Sequence, residues 1–180
     1  VDEIISRANH VSYYQGDDGK AKVSMLISDS EGRERSRDFV ILRKDLAGDV
    51  DEEQKFYVFF TRPADVNKTA FLVWKHLSKE DDRWLYLPAL DLVKRIAASD
   101  KRSSFVGSHF FYEDVSGRDP SDDLHELIDE TEDYYLLQSR PKVSDSVEFS
   151  YYQTRIHKAS WIPVQINYYD ASGSIYRTYE

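Results

Sequence analysis

Arg83-Trp84-Leu85-Tyr86-Leu87-Pro88-Ala89-Leu90-Asp91-Leu92-Val93-Lys94-Arg95-Ile96 reads as two short strands, rich in aromatic and branched residues, that turn at a proline. Ser104-Phe105-Val106-Gly107-Ser108-His109-Phe110-Phe111-Tyr112-Glu113-Asp114 follows as a compact aromatic segment around a glycine. Neither stretch holds a nucleophile in a catalytic setting, a metal-ligand set or a phosphate loop. The arrangement suits holding an apolar ligand better than performing chemistry.

Upstream, the same period of two recurs. Val23, Met25 and Ile27 alternate with Lys22, Ser24 and Ser28, and Asp29-Ser30-Glu31-Gly32 turns the chain into a strand carrying Phe39, Val40, Ile41 and Leu42. Further strands are expected at Lys55 to Thr61, Thr69 to Leu77, Arg83 to Leu87 and Leu92 to Ile96. The turn clusters Leu46-Ala47-Gly48-Asp49 and Ser78-Lys79-Glu80-Asp81-Asp82 separate them. Before this meander, Ile4, Ile5, Ala8 and Val11 form an apolar stripe at helical spacing, ended by Gly16-Asp17-Asp18-Gly19.

Between Lys101 and Thr131 the alternation stops. Asp119-Pro120-Ser121-Asp122 has the pattern of a helix start, with proline at the first helical position and acids in the first turn, so a helix buried through Leu124, Leu127 and Ile128 is expected. Strands resume at Asp133 to Ser139, Val147 to His157, Trp161 to Tyr169 and Ser174 to Tyr179. In the penultimate one, Ile162, Val164, Ile166 and Tyr168 are expected on a dry face and Pro163, Gln165 and Asn167 on a wet one.

About ten strands with hairpin-length links accumulate twist and curl. The expected fold is α+β, mainly antiparallel β: one strongly curved sheet, an incomplete barrel, with helices covering its concave face. The expected organisation is a single domain over 1–180, comprising an N-terminal helix (1–15), a first strand set (20–97), a helical lid insert (101–131) and a second strand set (133–180).

The chain has 180 residues and a net charge of −9. Acidic charge spread along it offers no basic face in the sequence, which disfavours nucleic acid as a partner. No apolar run approaches the roughly 20 residues of a membrane-spanning helix, and no cysteine is present for disulfide or thiol chemistry. No basic and apolar leader precedes the first helix, so the chain reads as cytosolic or as a secreted protein lacking its signal.

Reactive constellations are sparse. His10, His76, His109, His125 and His157 are scattered, and His109 with Glu113 is the sole close pair of histidine and carboxylate; a solvated or lid-packing histidine is the better reading than a metal site. Ser103, Ser104 and Ser108 lack the strand-turn-helix context of a nucleophile elbow. Asp122, Asp123, Glu126, Asp129, Glu130, Glu132 and Asp133 contain the carboxylates a glycosidase needs, but a charge run of this kind is more often a solvated face. No metal or cofactor is expected.

Phe56, Phe59, Phe60, Phe71, Trp74, Trp84 and Tyr86 are individually best read as core. Phe59-Phe60, Phe71-Leu72-Val73-Trp74, Tyr151-Tyr152 and Tyr168-Tyr169 nevertheless place large residues on both faces of their strands. A one-sided sheet needs this only where its second face meets a ligand, a partner or another covering element.

Arg62-Pro63 with Ala64-Asp65-Val66, Thr69-Ala70-Phe71-Leu72-Val73-Trp74, Trp84-Leu85-Tyr86-Leu87-Pro88-Ala89-Leu90, Arg95-Ile96, Ser104-Phe105-Val106-Gly107-Ser108 with Phe110 and Tyr112-Glu113-Asp114, and Trp161-Ile162-Pro163 occur in an order that resembles the LolA-like superfamily. The similarity is to its outer-membrane lipoprotein-sorting branch associated with RND-type exporters, and it runs over nearly the whole chain. The sequence departs from that pattern at Lys68, where glycine is usual, Asp91, where a basic residue is common, Val106 for methionine and His109 for aspartate.

This resemblance implies an incomplete β-barrel closed by helices, in the manner of LolA and LolB. It also implies a periplasmic, non-enzymatic carrier whose signal peptide has been removed, with acyl chains of a lipoprotein or lipid as cargo and an RND-type exporter as partner. The expected ligand contacts are Val23, Met25, Ile27, Phe39, Ile41, Val58, Phe60, Phe71, Val73 and Trp84, with Phe105 and Phe110 on the lid; a one-residue slip would exchange the faces. A lipid-sensing or interaction module of the same fold, and less readily a hydrolase on a curved sheet, remain as alternatives.

Overall fold

The computed structural model describes residues 1–46, 51, 53–77 and 79–180. Its contacts gather into two compact units, one of residues 16–117 and one of residues 1–15 with 118–180.

The first of these is a six-stranded antiparallel sheet in simple sequence order. Its strands are β1 (Asp18–Ser28), β2 (Glu34–Asp45), β3 (Gln54–Arg62), β4 (Ala70–Lys75), β5 (Asp82–Leu87) and β6 (Leu92–Ile96). Strand alternation places Val23, Phe39 and Phe60 in one cross-strand row, and Ile41, Val58, Phe71 and Leu85 in the next. These rows belong to the inner face. The opposite, outer face carries Val40, Phe59, Ala70, Tyr86 and Val93 in one row and Leu42, Tyr57, Leu72 and Trp84 in another.

Residues 97–117 then cross the inner face in short 3₁₀ turns at Ala98–Asp100 and Glu113–Val115. Buried polar groups tie this segment to the sheet: the Lys75 ammonium donates to the Ser116 carbonyl at 2.7 Å, and the Ser116 hydroxyl donates to Asp81, which also pairs with Arg83 at 2.6 Å. The Glu113 carboxylate, 4% exposed, is held by Lys101 and Arg102. A buried acid so surrounded is stable only with those partners in place.

The second unit opens with α1 (Asp2–Asn9), which continues as a π-helical turn over His10–Tyr14. Its sheet of five strands has the order β11-β10-β9-β8-β7, formed by β7 (Asp123–Glu130), β8 (Tyr134–Pro141), β9 (Tyr151–His157), β10 (Pro163–Tyr169) and β11 (Ile175–Tyr179). Ala8 is buried with Leu137 and Ile156, and Ile4, Ile5, Leu127 and Tyr135 pack around them. The apolar stripe of the first helix thus seats on this sheet, as an amphipathic helix must to bury its one greasy face. Arg7 adds a cation over the Trp161 ring at 4.7 Å.

Among the described residues the fold is therefore mostly antiparallel β with one short α-helix, in two sheets. Expected strand positions hold, with ends shifted by a few residues. The expected helix at Pro120 does not form. Asp119 does cap a turn there, accepting from the Ser121 amide at 2.8 Å, but the turn ends at Asp122 and the chain enters β7. Asp123, His125 and Leu127 point inward at period two, while Leu124 and Ile128 are exposed. Pairing with β8 across the turn at Thr131 outweighs a local start signal worth only about 1 kcal/mol. The helical lid over 101–131 is replaced by 3₁₀ turns and this strand.

The dry face expected on β10 is also absent: Ile162 and Val164 are exposed. The register with β9 slips between Pro163 and Gln165, and a bulge there re-aims the side chains. The turn expected at Leu46-Ala47-Gly48-Asp49 lies largely outside the described residues, as does the start of that at Ser78.

Among the described residues, Lys68 (φ 68°), Asp91 (φ 45°), Val106 (φ 50°) and Trp161 (φ 61°) take left-handed backbone without being glycine. Lys68, Asp91 and Val106 are positions at which the sequence departs from the pattern it resembles. Lys68 closes the β3–β4 connection, its amide donating to the Phe60 carbonyl at 3.0 Å. Lys68→Gly is expected to raise stability by about 0.5–1 kcal/mol, the relief of left-handed strain exceeding the entropy gained by the unfolded chain. A lowered urea midpoint would contradict this.

Candidate functional site

Phe105 is the centre of the inner face. Its loop is a tight clasp, with Ser104 bridging Phe111, the Phe105 amide donating to the Phe110 carbonyl at 2.7 Å, and the Ser108 amide and hydroxyl both donating to the Phe105 carbonyl. These bonds aim the ring at the sheet. It lies 5.5 Å from Phe71, 5.7 Å from Phe60, 5.8 Å from Tyr112 and 6.3 Å from Phe39. Phe39–Phe60 and Phe71–Tyr112 close the cluster at 5.0 Å each. Centroid spacings of this order, mostly tilted or edge-on, are those favoured by the ring quadrupole.

Ile27, Phe39, Val58, Phe60, Phe71, Val73 and Phe105, expected as ligand contacts, are thus buried core on one face of one sheet. Val23, Met25 and Ile41 lie on that same face, half-buried, toward the β1 edge. Trp84 does not share the surface: it pairs with Leu72, whereas Phe71 pairs with Leu85, so period two puts Trp84 outside. Phe110, next to the plug, is 43% exposed.

A polar group that sequence reading passed over sits at the edge of the outer face. The His76 ring, buried, lies 3.0 Å from Glu53 and 3.2 Å from Asp82, and stacks near Trp74. The His76 hydrogen bond, followed by that from the Trp74 indole, holds the Glu53 carboxyl below its usual range. Burial opposes ionisation of Asp82, but His76 and Arg95 outweigh it and hold that carboxyl low as well. Residues distant in sequence meet here through strand pairing, and single-residue spacing carries no sign of it.

The acidic run at 122–133 divides. Asp123 is buried, bound by Arg118 at 2.8 Å and receiving the Tyr152 hydroxyl at 2.8 Å, while Asp129, Glu130, Glu132 and Asp133 are exposed. Within the acidic average, the outer face of the first sheet gathers a local cluster of Lys20, Lys22, Lys44 and Lys55 around the aromatic rows. Among the described residues, no group of three or more histidines, cysteines or acids converges as a metal cage, and no helix is long and apolar enough to cross a membrane.

A protein-family model described as an uncharacterized protein matches residues 52–180, and the chain belongs to that family. No curated protein matches the sequence. Among solved structures, a putative outer membrane lipoprotein-sorting protein domain from Vibrio parahaemolyticus aligns with a TM-score of 0.85 at 27% identity, over 98% of this chain and 74% of its own. A DUF1329 family protein from Desulfovibrio piger aligns at 0.83 and 29%, over 96% and 73%. A LolA superfamily protein from Nitrosomonas europaea shares the fold at 0.64 and 18%, over 98% and 74%. The resemblance read from the sequence to the LolA-like, lipoprotein-sorting group is met by these structures.

Proposed function

We propose that this protein is a non-enzymatic carrier that holds acyl chains of a lipoprotein or lipid against the inner face of its six-stranded sheet. Its place would be the periplasm, with an RND-type exporter as donor or acceptor, and the two units would serve together as one lipoprotein-sorting domain. The observation that carries this reading is the aromatic plug. A face paved by Phe39, Phe60, Phe71, Val58 and Val73 is covered by one segment whose contact is chiefly Phe105 and Tyr112, beside half-buried Val23, Met25 and Ile41. If Phe105 swings away, an alkyl chain finds the same apolar wall.

The energetics fit a carrier. Each buried CH₂ contributes about 0.8 kcal/mol, so a chain of about fifteen carbons loses about 12 kcal/mol of solvation advantage if it enters water bare. A protein that offsets most of this and releases the chain by returning its own aromatic ring to the groove needs no covalent step. The similarity at 27% identity to a putative lipoprotein-sorting domain supports the same class of ligand.

Native mass spectrometry before and after organic extraction tests the reading. Loss of a lipid-sized mass supports it; no bound mass, together with hydrolysis of a lipid ester, replaces it with an enzyme. A transfer assay between donor and acceptor vesicles separates a carrier from a sensor that only binds. Phe110→Asp is expected to reduce lipid retention several-fold while changing stability by less than about 0.5 kcal/mol, as for other exposed positions. Unchanged retention with a collapsed fold would make Phe110 plain core.

A further inference from the structure

The outer face of the six-stranded sheet is a second apolar surface. Leu42, Tyr57, Leu72 and Trp84 form one row across β2 to β5, with Val40, Phe59, Tyr86 and Val93 beside it. Leu42, Tyr57 and Val93 are 42%, 40% and 61% exposed. Lys20 and Lys22 stand in register with Leu42 and Val40, and Lys44 pairs with Lys55, whose ammonium lies 4.2 Å from the centre of the Trp74 ring. Among the described residues Lys20, Lys22 and Lys44 have no ion pair. The acids on this face are Asp18 opposite Lys44, Glu34 at the far end of β2, Asp38 bonded to Ser24, Glu53 bound by His76 and the Trp74 indole, and Asp82 engaged by His76 and Arg95, so the lysines are concentrated around Leu42 and Tyr57 rather than over the whole face.

A cluster of four lysines beside aromatic rows, on a chain of net charge −9, selects its partner by sign. Lysines with long apolar stems, tryptophan and tyrosine rings and branched aliphatics are the residues favoured where acyl chains meet charged headgroups. A second copy of the chain would bring the same positive charge against it. We propose that this face docks reversibly on a membrane surface containing anionic phospholipid, with the lysines at the phosphates and the Tyr57 and Trp84 rows in the headgroup layer. The surface is opposite to the one that holds Phe105, so docking would leave the inner face unobstructed by the bilayer. The inference stands apart from the carrier reading, because it concerns a different face and a different measurement.

Vesicle co-sedimentation of the full chain tests it, with phosphatidylcholine vesicles compared with vesicles that also contain phosphatidylglycerol. Binding is expected only to the latter and is expected to weaken steeply with salt. A Lys20→Glu/Lys22→Glu/Lys55→Glu variant should bind at least about tenfold more weakly, each basic residue near an anionic surface being worth about fivefold. It should keep its melting temperature and any co-purified lipid, so that failure here and failure of the carrier reading are told apart. In a Trp161→Phe background, Trp74 and Trp84 should blue-shift on binding the anionic vesicles. Equal binding to neutral vesicles, no binding to either, or an unaffected triple variant overturns the proposal. Dimerisation abolished by Tyr57→Ser without vesicle binding would assign the face to a second copy, and selective capture of an acidic protein without vesicle binding would assign it there; each overturns the proposal as well.

Discussion

Phe105→Ala is expected to destabilise the lipid-free protein by about 3–5 kcal/mol, the usual cost of truncating a fully buried aromatic ring. Phe105 is 3% exposed and meets Phe39, Phe60, Phe71 and Tyr112, so its loss removes both buried area and four ring contacts that the clasp cannot re-form by collapsing. The rest of the clasp is hydrogen-bonded backbone that stays in place, which favours a persistent void over collapse. Urea unfolding measures the loss, and a change below about 1 kcal/mol would show that the ring is not packed as described. The same variant loaded with lipid should lose less, since an alkyl chain can fill the space the ring vacates. Equal losses with and without lipid would place the cargo elsewhere.

Asp123→Ala is expected to cost about 3–5 kcal/mol as well, by a different mechanism. Arg118 binds Asp123 through two nitrogens, at 2.9 and 2.8 Å, and the Tyr152 hydroxyl donates to the same carboxylate at 2.8 Å. The Asp123 side chain is fully buried and that of Arg118 is 13% exposed, so removing the acid takes from a largely desolvated cation its two-nitrogen partner and from the Tyr152 hydroxyl its carboxylate acceptor. Burial first, and then the charge of Asp123, push the ionisation of Tyr152 well above the ordinary tyrosine value. In the folded state this proton is held more tightly than in the unfolded chain. The resulting stability is complete below the unfolded tyrosine value of about 10 and is lost as the pH rises beyond it. An ultraviolet titration should show the exposed tyrosines ionising first and Tyr152 only as the second sheet opens. Ionisation of all thirteen tyrosines in one step without unfolding would refute the buried network.

Much of the fold was legible because alternation is a local signal. Val23, Met25 and Ile27, and Leu92 to Ile96, revealed their strands without knowledge of their partners. The strand β7 was hidden because Asp119-Pro120-Ser121 is a genuine turn start and Leu124, Leu127 and Ile128 suit a helix as well as a strand; the deciding bonds come from β8, in the next hairpin. The face of Trp84 was hidden for the same reason. Pairing Phe71 with Leu85 rather than with Trp84 is a register fact, and a single slip reverses it. Phe105 was placed on the lid and does sit on the covering segment, but its role as the centre of a packed cluster depends on four partners spread from β2 to Tyr112. The lysines of the outer face were invisible in an acidic average, since only strand pairing assembles them on one side.

Val106, at φ 50°, follows Phe105 directly, and its β-branched side chain tolerates such backbone poorly. Gly107 beside it, at φ 76°, bears no such burden. Holding a valine in that conformation stores about 1–3 kcal/mol. The loop is thus a cocked spring, latched by the hydrogen bonds of the clasp, from the Phe105 amide to Phe110 and from Ser108 to the Phe105 carbonyl. Whatever breaks those bonds also lets Val106 relax, so opening of the clasp itself is partly self-propelled.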